Sequence, residues 1–339
     1  VTAGDVPVFM SPDYQAIWDN IQATFPNSRF GISDRSYDES TLIVSIEYPN
    51  NPPRYYVTQV GSGEYRELGA EYPDLGPHNL GSMHRTVFEA RDGLPIEAFI
   101  TLPAGMADRP DAPIPFLMMP HGGPAARDYV QYDPLSQLLA SRGYGVLQMN
   151  FRGSDGYGRQ FEAAGEGEWG RAMQDDIADG AFWLIENGYA DPDKICIFGW
   201  SYGGYAALMG AARPQDPYIC AASVAGVTDL QEIVRTNRSD IMARRIGDAW
   251  RDRDELRAHS PIYLADQMEI PIFLAHGQAD TIVHVQHGIK MLQALSKAGK
   301  EVDEVAFALG DHSLSHSAYR QRLFVRLVAF LDEHLSQDE

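Results

Sequence analysis

Hydrophobic and polar positions follow one pattern over most of the 339-residue chain and another near its start. From residue 84 onward, short apolar runs typical of buried strands alternate with stretches typical of helices. The apolar runs predict strands at residues 85–90, 95–102, 115–119, 144–150, 194–198, 219–224, 271–276 and 302–307. Helical patterns lie between and after them, at residues 133–143, 175–187 and 323–335. This order predicts an α/β domain at residues 83–339, with a mostly parallel sheet of about eight strands covered by helices on both faces.

The first 82 residues carry the other pattern. Pro12 and the apolar positions that follow it predict a helix. Two strand-like runs, residues 41–46 and 54–60, come next and are bounded by turn residues. So few short antiparallel strands are not expected to bury a core of their own. We therefore interpret residues 1–82 as a β-rich segment resembling the last blade or blades of a β-propeller, joined to the rest by a linker at residues 73–83.

Composition limits the classes of protein and partner. The chain is 44% hydrophobic and 22% charged, which is ordinary for a globular protein. Its formal net charge of -20 argues against nucleic acid and anionic membranes as partners. The sequence has no apolar run of about 18 residues, so no membrane span is predicted. No cofactor or metal motif is recognisable, and none is expected.

The cysteines and the first residue bear on compartment. Cys196 and Cys220 lie in apolar runs and are predicted to be buried thiols rather than a disulfide or a metal site. The chain begins at Val1 without a signal-peptide pattern, and we interpret it as a processed protein or a fragment. A cytoplasmic location is favoured, while a periplasmic or secreted one stays open.

The clearest chemical motif is Gly199-Trp200-Ser201-Tyr202-Gly203. It follows the predicted strand at 194–198 directly and leads into small and apolar residues that suit a helix. Gly-x-Ser-x-Gly between a strand and a helix is the nucleophile elbow of α/β-hydrolases. Ser201 is therefore the predicted nucleophile, and the α/β-hydrolase fold is predicted for residues 83–339.

A serine nucleophile needs a base, and the base needs an acid that orients it. In α/β-hydrolases these partners follow in the order Ser, acid, His. Asp280 comes just after the strand at 271–276 and is the predicted acid. His312 comes just after the last strand and is the predicted base, with His316 as the alternative. The other histidines of this region are interpreted as polar loop or helix-surface residues: His276, His284 and His287.

The developing oxyanion needs two N–H donors. The first is predicted to be the N–H of Tyr202, directly after the nucleophile. The second is predicted to be the N–H of Gly123, in the glycine-rich loop after the strand at 115–119. His121 opens this loop and is interpreted as a residue that orients it rather than as a second base.

With these residues placed, the chain resembles the prolyl oligopeptidase family of serine peptidases. The branch it is most similar to is that of the acylaminoacyl peptidases and dipeptidyl aminopeptidases. The resemblance lies in residues 121–124, 150–158, 169–170, 175–176, 199–205, 276–280 and 311–312. One difference is visible: Ser313 follows His312, where this branch usually has a glycine.

The resemblance implies a serine peptidase that hydrolyses short peptides near their N-terminus through an acyl-enzyme. It also implies an N-terminal β-propeller, so residues 1–82 would be its last part and this chain a C-terminal portion. The expected partners are short peptides and that propeller, and a homo-oligomer stays open. Arg152, Tyr157 and Trp200 are candidate substrate-binding residues. A buried ion pair is the alternative for Arg152, and simple packing is the alternative for the two aromatic residues.

Two other functions remain open at this point. A carboxylesterase would use the same machinery, because the fold does not fix the substrate. A non-catalytic binding protein could retain the fold. The sequence leaves the choice between acylaminoacyl, dipeptidyl and internal cleavage undecided.

Overall fold

The computed structural model describes residues 12–106, 108–236, 245–247 and 252–335. They contain a four-stranded sheet in the order β1-β2-β3-β4 and an eight-stranded sheet in the order β12-β11-β10-β9-β7-β8-β6-β5. The chain divides into two compact units. One holds residues 1–85, 101–108 and 129–143, and the other holds residues 86–100, 109–128 and 144–339.

The first unit contains two helices and the antiparallel sheet. Its elements are α1 (Pro12–Thr24), β1 (Arg29–Arg35), β2 (Thr41–Tyr48), β3 (Asn51–Gln59), β4 (Tyr65–Ala70) and α2 (Pro134–Ser141). Alternate residues of β2 are buried, and Leu42, Val44 and Ile46 form a small core with Ile21 of α1. A core was not expected from these strands alone. Helix α1 makes this core possible, because its Ile21 packs with the buried residues of β2.

The second sheet has the strands β5 (Ser82–Glu89), β6 (Pro95–Leu102), β7 (Ile114–Met118), β8 (Gly145–Asn150), β9 (Ala190–Trp200), β10 (Cys220–Val224), β11 (Ile272–Gly277) and β12 (Val302–Phe307). Strand β7 pairs in parallel with β8 and β9, and β9 to β12 continue the sheet in parallel. The predicted mostly parallel eight-stranded sheet is confirmed.

Helices connect these strands. They are α3 (Arg159–Ala163), α4 (Ala172–Glu186), α5 (Tyr202–Ala211), α6 (Leu230–Thr236), α7 (Arg253–Ala258), α8 (Gln286–Lys297) and α9 (Ser317–Leu335). All residues of α5 are buried, as are all residues of β7, β8, β10 and β11. Strands buried on both faces read as unbroken apolar runs, which is why their positions were predictable. Within the described residues, no helix has the length and apolarity needed to cross a membrane.

The two cysteines correct the expectation of free buried thiols. Cys196 on β9 and Cys220 on β10 are paired in register across neighbouring strands. Their Cα atoms are 4.8 Å apart, and a disulfide bond joins them. The apolar pattern of a strand does not predict its register with the neighbouring strand. The register of β9 with β10 is what places the two sulfur atoms next to each other.

Candidate active site

Ser201 occupies the sharp turn between β9 and α5. Its backbone has φ 60° and ψ -117°, a left-handed conformation that is strained for a residue with a side chain. The Ser201 N–H donates to the carbonyl of Val224 on β10 over 2.9 Å, and its own carbonyl accepts the N–H of Tyr205 over 3.1 Å. The neighbouring strand and the new helix therefore hold the strained residue in place.

The two glycines of the motif are required by space. A Cβ atom on Gly199 would lie 2.2 Å from the carbonyl oxygen of Gly203. A Cβ atom on Gly203 would lie 2.1 Å from the carbonyl oxygen of Pro120. Neither backbone atom can move aside as a flexible side chain would, so only glycine fits these two positions.

The predicted acid and base lie together. The Asp280 side chain, in the loop after β11, is fully buried, and its Oδ2 is 2.7 Å from Nδ1 of His312. Its Oδ1 accepts the N–H groups of Ile282 and Val283 over 2.8 and 2.9 Å. Burial raises the pKa of Asp280, but hydrogen bonds from His276, His312 and the Ile282 N–H outweigh it and hold this pKa well below its usual range. Asp280 is therefore an ionised acceptor that fixes the His312 imidazole.

His312 is also tied to the elbow. The Trp200 indole Nε1–H donates to the His312 carbonyl over 2.7 Å. With Nδ1 engaged by Asp280, Nε2 is the nitrogen that remains for exchanging a proton with a nucleophile. The alternative, His316, lies exposed just before α9, where its Nδ1 accepts the N–H of Ala318. The structure brings His312, and not His316, to Asp280.

The residue after His312 needs no glycine in this chain. The left-handed conformation in this loop falls on Leu314, with φ 46°, and not on Ser313. Leu314 is 2% exposed, so burial of its side chain offsets the backbone strain. Ser313, in the place where the branch usually has a glycine, is therefore compatible with the conformation of the His312 loop.

Tyr202 follows Ser201 in the chain, and the neighbour of Gly123 in the glycine loop, Gly122, lies close to Ser201. Tyr202 begins α5, and its buried ring packs edge-on against Trp169 with centroids 4.6 Å apart. On the other side, a Cβ atom on Gly122 would lie 3.5 Å from Cβ of Ser201. Gly123 has φ 126°, a conformation that favours glycine. The glycine loop after β7 thus lies against the nucleophile.

Two histidines interpreted as surface residues are buried. His276 is the last residue but one of β11. Its Nε2–H donates to the Val283 carbonyl over 2.8 Å, and the same nitrogen lies 3.4 Å from Oδ2 of Asp280. His287 on α8 accepts the Thr228 N–H, and burial lowers its pKa to about 4. His276 was missed as a partner of the acid, although its place at a buried strand end, four residues before Asp280, is a signal that could have found it.

The three candidate substrate-binding residues are engaged within the protein. Arg152 has a side chain that is 10% exposed, and it pairs with Asp176 over 2.7 Å and with Asp92 over 2.8 Å. The Tyr157 hydroxyl accepts from the Asn150 side chain over 2.6 Å and also contacts Glu97. Trp200 uses its only polar group on the His312 carbonyl. Direct substrate contact by these three residues stays a prediction.

Comparison with known proteins agrees with this geometry. The sequence model of the prolyl oligopeptidase family matches residues 130–338. Dipeptidyl aminopeptidase BIII of Pseudoxanthomonas mexicana is 31% identical over 318 residues, which are 90% of this chain and 46% of that protein. The acylamino-acid-releasing enzyme of Rattus norvegicus is 25% identical over 251 residues, 71% of this chain and 34% of the relative.

A solved structure has the same fold. A puromycin-hydrolyzing peptidase of Mycobacterium tuberculosis superposes with a TM-score of 0.80 and 25% identity, over 88% of this chain and 46% of the other. The predicted α/β-hydrolase fold and the predicted family resemblance are confirmed. The chain spans less than half the length of each of these relatives.

Proposed function

Because the chain belongs to the prolyl oligopeptidase family, we propose that it acts as a serine peptidase through an acyl-enzyme. One observation carries this proposal: a buried, ionised Asp280 holds Nδ1 of His312, whose backbone is tied to the elbow that presents Ser201. A buried acid, a base that it holds and a serine at a strained turn, each after a separate strand, are the groups that a catalytic triad combines, and they support the proposal.

In the proposed reaction Ser201 Oγ attacks the scissile carbonyl while His312 Nε2 takes its proton. Asp280 stabilises the imidazolium that results. The N–H groups of Gly123 and Tyr202 hold the oxyanion. His312 then returns the proton to the leaving amine, and the acyl group stays on Ser201. Water, activated by His312, attacks this ester and releases the acid product.

The proposed substrates are short peptides cut near their N-terminus. Removal of a dipeptide is the first candidate, since the relative with the higher identity is a dipeptidyl aminopeptidase. Removal of an acylated amino acid is the second, since another relative is an acylamino-acid-releasing enzyme. We also propose residues 1–82 as part of a β-propeller, because a four-stranded antiparallel sheet such as β1–β4 is the unit from which propellers are built.

The test compares chromogenic anilides of a free dipeptide, an acetylated amino acid and a free amino acid, with Ser201→Ala as the blank. Cleavage of the dipeptidyl anilide supports the first candidate, and cleavage of only the acetylated one supports the second. His312→Gln is expected to lose at least about 10³-fold in kcat, while the matched control His316→Gln keeps nearly all of it. Cleavage of nitrophenyl esters without any anilide would replace the peptidase by an esterase, and equal loss in both histidine variants would overturn the choice of base.

A further inference from the structure

The Cys196–Cys220 disulfide bond closes a loop that contains the whole nucleophile elbow. The two cysteines are 24 residues apart in the sequence. Between them lie the end of β9, Ser201, Tyr202 and the rest of α5. The cross-link therefore encloses the proposed nucleophile together with one of the two proposed oxyanion donors.

The two cysteines also lie on the two strands that hold Ser201. Strands β9 and β10 pair in register from Cys196 opposite Cys220 to Trp200 opposite Val224. At the end of this pairing, the Val224 carbonyl accepts the Ser201 N–H over 2.9 Å. A shift of β10 against β9 would move this carbonyl, and the disulfide bond opposes such a shift from a position four residues before it.

The elbow needs such support because its own conformation is unfavourable. Ser201 has φ 60° and ψ -117°, and a strained residue keeps its conformation only where the surrounding structure over-determines it. Within the described part of the chain, the Ser201 side chain makes no capping hydrogen bond to α5. Gly203 and Gly204 follow, and glycine gains more backbone freedom on opening than any other residue. If the two strands separate locally, this turn is therefore expected to relax first.

Burial decides when the disulfide bond can change. Both cysteines are 0% exposed, and all residues of β10 are buried. A thiol reagent reaches the sulfur atoms only when the sheet opens or before the chain has folded. The redox state that the chain has when it folds is thus retained afterwards.

We propose that this disulfide bond is a redox-controlled lock that keeps Ser201 in its reactive conformation. In the oxidised chain the elbow stays closed up to the temperature at which the domain unfolds, whereas in the reduced chain it opens at a lower temperature. The proposal rests on the proposed function, because it concerns the same nucleophile. An environment that oxidises thiols is then part of what the enzyme needs for lasting activity.

The bond forms by thiol–disulfide exchange with the disulfide of a small thiol compound, such as oxidised glutathione. One cysteine thiolate attacks this disulfide and releases the first small thiol. The second cysteine then attacks the mixed disulfide and releases the other small thiol. The two cysteines lose two protons and two electrons in total, and these leave with the two small thiols. Dithiothreitol reverses the reaction and is itself oxidised to a cyclic disulfide.

The expected shift follows from the length of the loop. Closing a loop of 24 residues removes entropy from the open chain, which corresponds to about 6–12 °C in Tm for a domain of this size. Every residue of the elbow lies inside this loop, so the same bond also suppresses opening of the elbow alone. Loss of the bond should therefore affect the elbow before it affects the rest of the sheet.

The first test compares the full chain refolded from denaturant with and without dithiothreitol. The fraction labelled at Ser201 by a fluorophosphonate in a fixed short time, and far-UV circular dichroism, are both measured against temperature. We expect the two midpoints to agree in the oxidised chain, and labelling to be lost at least about 5 °C below unfolding in the reduced chain. Coincident midpoints in the reduced chain would overturn the proposal, because a bond that only stabilises the fold shifts both equally.

A variant without thiols is the matched control. Cys196→Ala/Cys220→Ala should behave as the reduced chain does and should not respond to dithiothreitol; a response would mean that the reagent acts elsewhere, which would overturn the proposal. Should the reduced chain fail to refold, Cys196→Val/Cys220→Ala, which refills the core without a bond, is compared with the oxidised chain by the same two measurements.

Hydrogen exchange gives a second readout that needs no activity. The N–H groups of Ser201 and Tyr205, which donate to the carbonyls of Val224 and Ser201, should exchange at least about tenfold faster in the reduced chain below its unfolding transition. A peptide that covers β8 should keep its exchange rate and is the control. Equal acceleration at both places, or at neither, would overturn the proposal. If the oxidised chain alone protects the elbow but neither labels nor cleaves an anilide, the proposed function fails while the lock is supported.

Discussion

Replacing Asp280 by asparagine is the sharpest test of the proposed triad, because it changes charge with almost no change in shape. An asparagine Oδ1 can keep the two backbone hydrogen bonds from Ile282 and Val283. Its amide nitrogen then takes the place of Oδ2 and donates toward Nδ1 of His312. Nδ1 of His312 must then accept this hydrogen bond, so the imidazole proton moves to Nε2. A proton on Nε2 prevents His312 from taking the proton of Ser201.

The expected size of the effect follows from the distance. At 2.7 Å between Nδ1 of His312 and Oδ2 of Asp280, the attraction between an imidazolium and a carboxylate is about 6 kcal/mol at an effective dielectric constant of about 20. Each 1.36 kcal/mol of barrier is about tenfold in rate, so kcat should fall by about 10⁴. Because the low pKa keeps Asp280 ionised through the whole assay range, titration of Asp280 itself should add no pH dependence to this loss between about pH 6 and 9.

The assay is kcat on the best anilide, corrected with Ser201→Ala. Asp311→Asn is the matched control, since Asp311 is the exposed neighbour of His312 and its side chain accepts the Ser315 N–H over 2.8 Å. It is expected to keep kcat within about threefold. An Asp280→Asn enzyme that retains more than a tenth of the wild-type kcat, or an equal loss in Asp311→Asn, would refute the reasoning.

Two further substitutions separate structural from substrate roles, and a thiol titration tests the disulfide bond. Arg152→Met leaves the carboxylate of Asp176 buried and unpaired, which should cost about 3–5 kcal/mol and lower Tm by at least about 6 °C; a higher KM at unchanged Tm would make Arg152 a substrate residue. Trp200→Phe removes the hydrogen bond to the His312 carbonyl, so kcat should fall up to about tenfold; a selective rise in KM would point to substrate contact. Titration of the denatured, unreduced chain should find no free thiol, and two thiols would contradict the disulfide bond.

Strands buried on both faces were predictable from their apolar runs. Strand β8, for example, is fully buried, and its apolar run is bounded by a helix end and a turn. Strands β1 and β4 went unpredicted because they lie at the two edges of the small sheet. All of their residues are exposed or partly exposed, so their sequences show no alternation of buried apolar and exposed polar residues.

The candidate site divides in the same way. The placement of Ser201, Asp280 and His312 was predictable because each comes within a few residues of the end of an apolar run, and the ends of parallel strands meet at one edge of the sheet. The contact of His276 with Asp280 depends instead on how the loop after β11 folds back on the strand. The partnering of the two cysteines depends on register between strands. The cysteine pairing has no periodic trace in the sequence, and the sequence signal for the His276 contact is its place near the end of a buried strand, four residues before Asp280.

The strand order explains why Trp200 matters to this site. Neighbouring strands are about 4.8 Å apart, so β12, three places from β9, lies about 14 Å from the strand that carries the serine. The loop after β12 must therefore cross the end of β11 to bring His312 toward Ser201. The Ala279 N–H fixes the first part of this path by donating to the Gly310 carbonyl over 2.9 Å. The Trp200 indole fixes its far end through the His312 carbonyl. The Trp200 side chain, next to the nucleophile, thus holds a base whose loop leaves the sheet three strands away. For this reason Trp200→Phe should lower kcat more than it changes KM.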